Sequence, residues 1–292
     1  MNAIIFGANG QDGIYLSKLC KEKKIDVTGV SRTGTGVIGD VGNSEFTEEI
    51  IKQKKPDFIF HLAANSTTKH YPVFENHHTI STGTLNILET VYKHSPKTKV
   101  FITGSAVQFE NNGTPISEQT HFEASSPYSI SRIQSVYAAR YYLSLGINVY
   151  VGYLFHHESP MRKPGHMSQK IASFAKEIKT GKNNILEVGD LSVEKELNYA
   201  GDTVNAIFTL VSQDEIFETV IGCGITYSIK DWIEECFSLL NLDWKNYIKQ
   251  SASFNPEYKK LVSNPKLLLS LGWKPLINFR MLAEIMLGMK PV

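Results

Sequence analysis

Along the first half of the chain, short apolar runs alternate with longer stretches whose apolar positions recur every three or four residues. Ala3–Phe6 reads as a buried strand, and Asp12–Lys23 as a helix offering Ile14, Leu16, Leu19 and Cys20 on one stripe. Val27–Val30, Asp57–Leu62, Val100–Thr103 and Ile147–Phe155 read as further strands. Between them, Glu45–Lys54, Ile80–Tyr92 and Ser129–Leu145 read as helices. Phe46, Ile50 and Ile51 point inward from the first of these, and Leu85, Leu88, Val91 and Tyr92 share one side of the second. Strands this short and continuously apolar belong in a parallel sheet covered on both faces. The expected fold class is therefore α/β, a doubly wound parallel sheet. After Phe155 the rhythm loosens, with helices at Ser168–Thr180, Asp202–Val211, Lys230–Leu239 and Phe279–Leu287. The expected division is residues 1–157 as one domain and 158–292 as a smaller α/β domain, with parts of about 199–225 returning to the first.

Composition narrows the picture. With 42% apolar and 20% charged residues, the 292-residue chain lies within globular norms and is not disordered. Thirty Lys+Arg against 29 Asp+Glu leave a net charge of +1, which argues against a nucleic-acid partner. No run of about 18 apolar residues occurs, so no membrane span is expected. Cys20, Cys223 and Cys236 form no C-x-x-C pair, so neither a disulfide framework nor a metal site is expected. Met1–Phe6 lacks a basic segment, so a signal peptide is not expected and the cytoplasm is the expected compartment. His70, His77 and His78 lack metal-ligand spacing and read as surface residues.

The first concentrated chemistry lies between strand one and helix one, in Gly7-Ala8-Asn9-Gly10-Gln11-Asp12-Gly13. A G-x-x-G-x-x-G turn in that place lets backbone N–H groups approach a pyrophosphate. The third glycine lets helix pack on strand, and the helix N-terminus favours the anion. This is the Rossmann-like dinucleotide arrangement. Strand two ends in Ser31-Arg32-Thr33, without the acid that holds ribose hydroxyls in NAD sites. Arg32 suits a 2′-phosphate instead, which favours NADP(H) over NAD(H).

The glycine turn, the strand-four segment and Tyr128-x-x-x-Arg132 together resemble the extended short-chain dehydrogenase/reductases. Gly10-Gln11-Asp12-Gly13-x-Tyr15-Leu16 and Phe155-His156-His157-Glu158-Ser159-Pro160 narrow that resemblance to the GDP-mannose 4,6-dehydratases, and Leu271-Gly272-Trp273-Lys274-Pro275 matches a common ending of the superfamily. The resemblance implies a nucleotide-sugar substrate, GDP-linked, and a homodimer built on the helices near Leu85–Tyr92 and Tyr128–Leu145, where Val136, Tyr137, Tyr141 and Tyr142 would either serve that face or fill the core. It places Asn9, Gln11 and Asp12 with the glycines at the cofactor, Asp40-Val41 at the adenine, and Leu62-Ala63-Ala64 along the cofactor. It places His156, His157, Glu158 and Ser159 beside the sugar nucleotide, and Arg162, Lys170 and Lys195 near its diphosphate.

In that superfamily a tyrosine moves a proton at the sugar oxygen. A lysine one helical turn later holds the nicotinamide ribose, and a serine or threonine orients the oxygen. The resemblance carries these roles onto Tyr128, Arg132 and Ser105, with arginine in place of lysine. That exchange keeps the charge and changes the geometry. 4,6-Dehydratases also need a carboxylate two residues beyond the serine, where this chain has Val107, and Glu110 would serve only with a rearranged loop. Relatives carry an Arg-Pro before their last helices, where the nearest counterpart is Asn255-Pro256. The expected activity is an NADP(H)-dependent reductase of a GDP-linked 4-keto sugar in surface-glycan sugar biosynthesis. The rivals are a divergent 4,6-dehydratase, a 4-epimerase and a nucleotide-sugar binding protein that has lost its chemistry.

Overall fold

The computed structural model describes residues 1–251 and 254–291. Seven parallel strands form the central sheet: β1 (Asn2–Phe6), β2 (Asp26–Ser31), β3 (Val37–Ile38), β4 (Phe58–His61), β5 (Lys99–Ser105), β6 (Val149–Leu154) and β7 (Glu218–Ile221), in the order β7-β6-β5-β4-β1-β2-β3. The helices of eight residues or more are α1 (Gln11–Glu22), α2 (Ser44–Lys54), α3 (Gly83–His94), α4 (Pro127–Ser144), α5 (Met167–Lys179), α6 (Ala200–Val211), α7 (Ile229–Leu239) and α8 (Phe279–Leu287). The expected α/β class and doubly wound, Rossmann-like sheet are what the chain adopts.

Strand periodicity of two sends alternate residues to opposite layers. Ile4 and Phe6 enter a core with residues of α2, α3 and α4, while Ala3 and Ile5 enter a second core with residues of α1 and α6. A third core joins α5, α7 and α8 around Trp232 and Phe237, beside short strands at Leu186–Val188, Glu194–Glu196, Thr226–Ser228 and Ile248–Gln250. Helix α6 and strand β7 belong to the central sheet and its cover, far along the chain from the other strands.

Several inward assignments change. On α1, Ile14 is exposed and Tyr15 is buried, so the apolar stripe is rotated by one residue. On α3, Leu85 and Tyr92 are exposed, whereas Ile87, Leu88 and Val91 fill the core. Helix α3 begins at Gly83, after a wider turn over His77–Thr82. On α4, Val136 and Tyr142 are core residues, while Tyr137 and Tyr141 are exposed.

The strand order reverses at β1, with β2 and β3 on one side and β4 to β7 on the other. Such a reversal opens a crevice at the carboxyl ends of the strands, where open α/β sheets bind ligands.

Candidate active site

The glycine turn lies at that crevice. Gly7 has φ +92° and donates to Val30 O at 2.8 Å, and a Cβ there would stand 2.7 Å from the Ala63 nitrogen. Gly13 is required by packing, since a Cβ would fall 2.3 Å from Gly7 O. Gly10 caps α1 with no side-chain hydrogen bond and is exposed. The first N–H groups of α1 therefore face the crevice without a side-chain acceptor, which fits the anionic diphosphate of a dinucleotide. Leu62, Ala63 and Ala64 follow β4 against this turn, half-buried.

The side chains around the turn are engaged with one another. Asn9 donates to Thr33 O at 2.7 Å and Thr35 O at 3.1 Å, fastening the loop after β2. Arg32 donates to Glu75 at 2.8 Å, and Glu75 also accepts from Asn65 at 3.0 Å. Asp40 accepts from Gly42 N at 2.9 Å. Val41 is a core residue, packed in the cluster with Ile50, Ile51 and Ile87.

Asp12 and His157, assigned from the sequence to different ligands, bond to each other. His157 Nε2 lies 2.9 Å from Asp12 Oδ1, and His157 Nδ1 lies 2.7 Å from Phe155 O. Burial alone would push the imidazolium down, but the charge and hydrogen bond of Asp12 outweigh it and hold the His157 pKa above its ordinary value. Burial would likewise raise the Asp12 carboxyl, and His157 outweighs it in turn and holds that pKa low. Ser159 Oγ donates to Gln11 Oε1 at 2.8 Å, a second link between the same two segments.

On the opposite wall, Ser126 caps α4 by accepting from Ser129 N, with Pro127 in the first turn. That cap sets Tyr128 in the first turn and Arg132 one turn later on the same face. Both are buried, with the Arg132 guanidinium carbon 5.1 Å from the Tyr128 ring centre. Arg132 donates to Thr103 O, leaving its Nε without a partner. His61 is fully buried at the end of β4, beside the Ile80 and Thr79 backbone; burial and then the nearby Arg132 charge hold its pKa at about 4, so the ring is neutral. Ser105 ends β5, its N–H donating to Gln108 Oε1 at 2.8 Å.

Two cavities lie in and beside the C-terminal half, and of the residues just described only Ser126 borders one of them. One, of about 680 Å³, is lined by Val107, Glu123, Ser125, Ser126, Tyr258 and Lys260 among others. The other, of about 290 Å³, is lined by Asp190, Lys195, Phe254, Asn255, Pro256 and Tyr258 among others. Glu257 and Tyr258 border both. Beside Tyr258 the hydroxyl meets His156 Nε2 at 3.2 Å, and Arg162 stands 3.4 Å from the buried Glu158. His156 is held well below its usual pKa by burial and then by the Lys195 and Arg162 charges. Burial also pushes Lys195 down. Arg162 and Lys195 are the cations here, facing the carboxylates of Glu158 and Glu257. Lys170 is exposed and lines neither cavity.

Glu110 is exposed, its N–H held by His121 O, and it lines neither cavity. Glu123, which sequence reasoning passed over, shares the larger cavity with Val107, and its N–H donates to Gln108 O at 2.8 Å. No local pattern marks Glu123, because the pairing that brings it there joins two loop segments.

The family model for GDP-mannose 4,6 dehydratase matches residues 4–286. The chain belongs to the GDP-mannose 4,6-dehydratase family. Among similar proteins, "GDP-mannose 4,6 dehydratase 1" of Arabidopsis thaliana is 28% identical, over 97% of this chain and 88% of that protein. Among solved structures, dTDP-glucose 4,6-dehydratase from Bacillus anthracis, in complex with NAD, superposes with a TM-score of 0.87 at 19% identity, covering 99% of this chain and 96% of that one. RMD from Pseudomonas aeruginosa, complexed with NADPH, superposes at 0.85 with 21% identity over 98% of this chain and 97% of that one. At these identities the superpositions establish the fold, which agrees with the seven-stranded sheet of this GDP-mannose 4,6-dehydratase family member.

Proposed function

We propose that this family member is an NADP(H)-dependent reductase of a GDP-linked 4-keto sugar, working in the cytoplasm in surface-glycan sugar biosynthesis. The observation that carries the reading is Val107, which stands on the wall of the larger cavity where a dehydratase base is expected, in a chain that keeps Ser105 and Tyr128. An aliphatic side chain takes no proton, and loss of such a base costs about 10²–10⁴ in rate. Carbonyl reduction needs only a proton donor at the oxygen, and Tyr128 is that donor, with Ser105 orienting the same oxygen. A bound nicotinamide supplies hydride to the carbonyl carbon. Gly7, Gly10 and Gly13 would hold its diphosphate, Arg32 the 2′-phosphate, and Arg132 the ribose side.

The two cavities that meet at Tyr258 support a two-part substrate, with the sugar in the larger, the nucleoside in the smaller, and the diphosphate at Arg162 and Lys195 between them. Exposed Leu85 and Tyr92 on α3, with Ile130, Tyr137 and Tyr141 on α4, support a homodimer through those helices.

Glu123 favours a second reading, a 4,6-dehydratase whose base comes from the other side of the cavity. Incubation with NADPH and a GDP-4-keto-6-deoxy sugar, in parallel with GDP-mannose, separates the two. Oxidation of NADPH by the keto sugar is the expected result. A 4-keto product from GDP-mannose without net NADPH loss overturns the reductase reading in favour of Glu123.

A further inference from the structure

Asp12 is the second residue of α1 and carries a carboxylate in the first turn of the helix whose N-terminus is shaped for a diphosphate. An acid in that turn suits the helix dipole. It also competes with the anion that the same dipole would attract, because both negative charges occupy one half-buried spot. The bare sequence therefore contains a conflict at its clearest motif.

His157 resolves it. Its two ring nitrogens face Phe155 O at 2.7 Å and Asp12 Oδ1 at 2.9 Å. A carbonyl offers no proton and a carboxylate only accepts, whereas a neutral imidazole has a single N–H. Donating to both requires the imidazolium. The ring is held in place by the short strand His157–Glu158, paired with Asn198–Tyr199, and by Gln11, whose amide donates to His157 O at 3.3 Å and accepts from Ser159 Oγ at 2.8 Å. Arg162, Glu158, His156 and Lys195 are the other charged or titratable groups near the pair; Arg162 is drawn toward Glu158, which leaves His157 as the cation bonded to Asp12.

We propose that His157 is a counter-charge for Asp12, and that this neutralisation makes the N-terminus of α1 competent to bind the diphosphate of a nicotinamide dinucleotide. The inference rests on the cofactor reading given above. It moves His157 from the substrate to the cofactor side of the site, as a positioning residue that acts through Asp12.

The test is NADPH affinity, followed by its fluorescence on the purified full-length protein and on His157→Gln, Asp12→Asn and the double variant. His157→Gln alone should weaken binding by about tenfold or more, since it leaves the carboxylate uncompensated. Asp12→Asn should bind within about threefold of wild type, and Asp12→Asn/His157→Gln should recover most of the loss, because no charge then needs an opposite. Thermal unfolding without nucleotide reports whether each variant is folded. A double variant as weak as His157→Gln overturns the proposal. So does an Asp12→Asn protein that binds about tenfold more weakly, and this variant decides the matter even where His157→Gln does not fold. Wild-type protein that binds neither NADPH nor NADH removes the cofactor reading itself, and the counter-charge with it.

Discussion

The guanidinium of Arg32 and the carboxylate of Glu75 are bonded at 2.8 Å across the rim where strand β2 ends. Both side chains are partly exposed, 50% and 39%, so the pair resembles a surface bridge of modest worth, about 0–1 kcal/mol. A 2′-phosphate offers the arginine fork a more highly charged partner and would displace Glu75.

Glu75→Gln should therefore strengthen NADPH binding by about three- to tenfold and leave NADH binding unchanged. Arg32→Ala should weaken NADPH and spare NADH. Titration of both nucleotides against both variants checks this. If Glu75→Gln instead weakens NADH, then Glu75 is itself the acid that accepts from ribose hydroxyls, and the chain is an NAD protein.

Glu123 and Val107 decide the chemistry. In a reductase, Glu123→Gln should change kcat by less than about threefold, since no proton leaves carbon; a base acting through Glu123 would cost about 10²–10⁴. Solvent-deuterium incorporation at the sugar C5 is the direct readout. Incorporation in wild type that disappears in Glu123→Gln identifies a dehydratase.

The central sheet was legible because its signals are local. Ile4 and Phe6 against Ala3 and Ile5 give the two faces, and the glycine turn gives the first crossover. Strand β7 was not, because Glu218–Ile221 becomes a strand only by pairing with β6, far away in sequence. The same holds in the site. Tyr128 and Arg132 share a helix face one turn apart, and spacing reveals them. Asp12 with His157, and Arg32 with Glu75, are long-range pairs that no window of sequence contains. Helix stripes failed where one residue of rotation mattered, as with Ile14 against Tyr15.

Arg132 is a buried cation, 2% exposed, and among the described residues no carboxylate lies within ion-pairing distance of it. Its desolvation is offset only by Thr103 O and the Tyr128 ring, with Nε left bare. Burying a charge without an opposite charge costs stability. Arg132→Met should raise the melting temperature of the nucleotide-free protein, by the equivalent of about 1–3 kcal/mol, while lowering kcat/KM about 100-fold or more. A variant that melts lower and turns over normally would show that the arginine is a packing residue.

The Asp12–His157 pair also sets a pH window for stability. The His157 pKa is raised in the folded protein, so its contribution is complete below the ordinary histidine value of about 6.5 and is lost as pH rises through the raised value. The Asp12 pKa is lowered, so its contribution is complete above the ordinary 3.8 and is lost as pH falls through the lowered value. Between those limits the ion pair holds the glycine turn against the segment running from Phe155 to Ser159. Removing one partner of a fully buried pair costs about 3–5 kcal/mol, and less where the carboxylate is half-buried as here, so His157→Gln should still melt below wild type near pH 6. The gap should narrow on the alkaline side, where wild type itself loses the proton from His157. Melting curves of wild type, His157→Gln and Asp12→Asn/His157→Gln from pH 5 to 10 measure this directly. A gap that stays constant across the range would mean that the contact between these two residues is one of shape, with no net charge attraction in it.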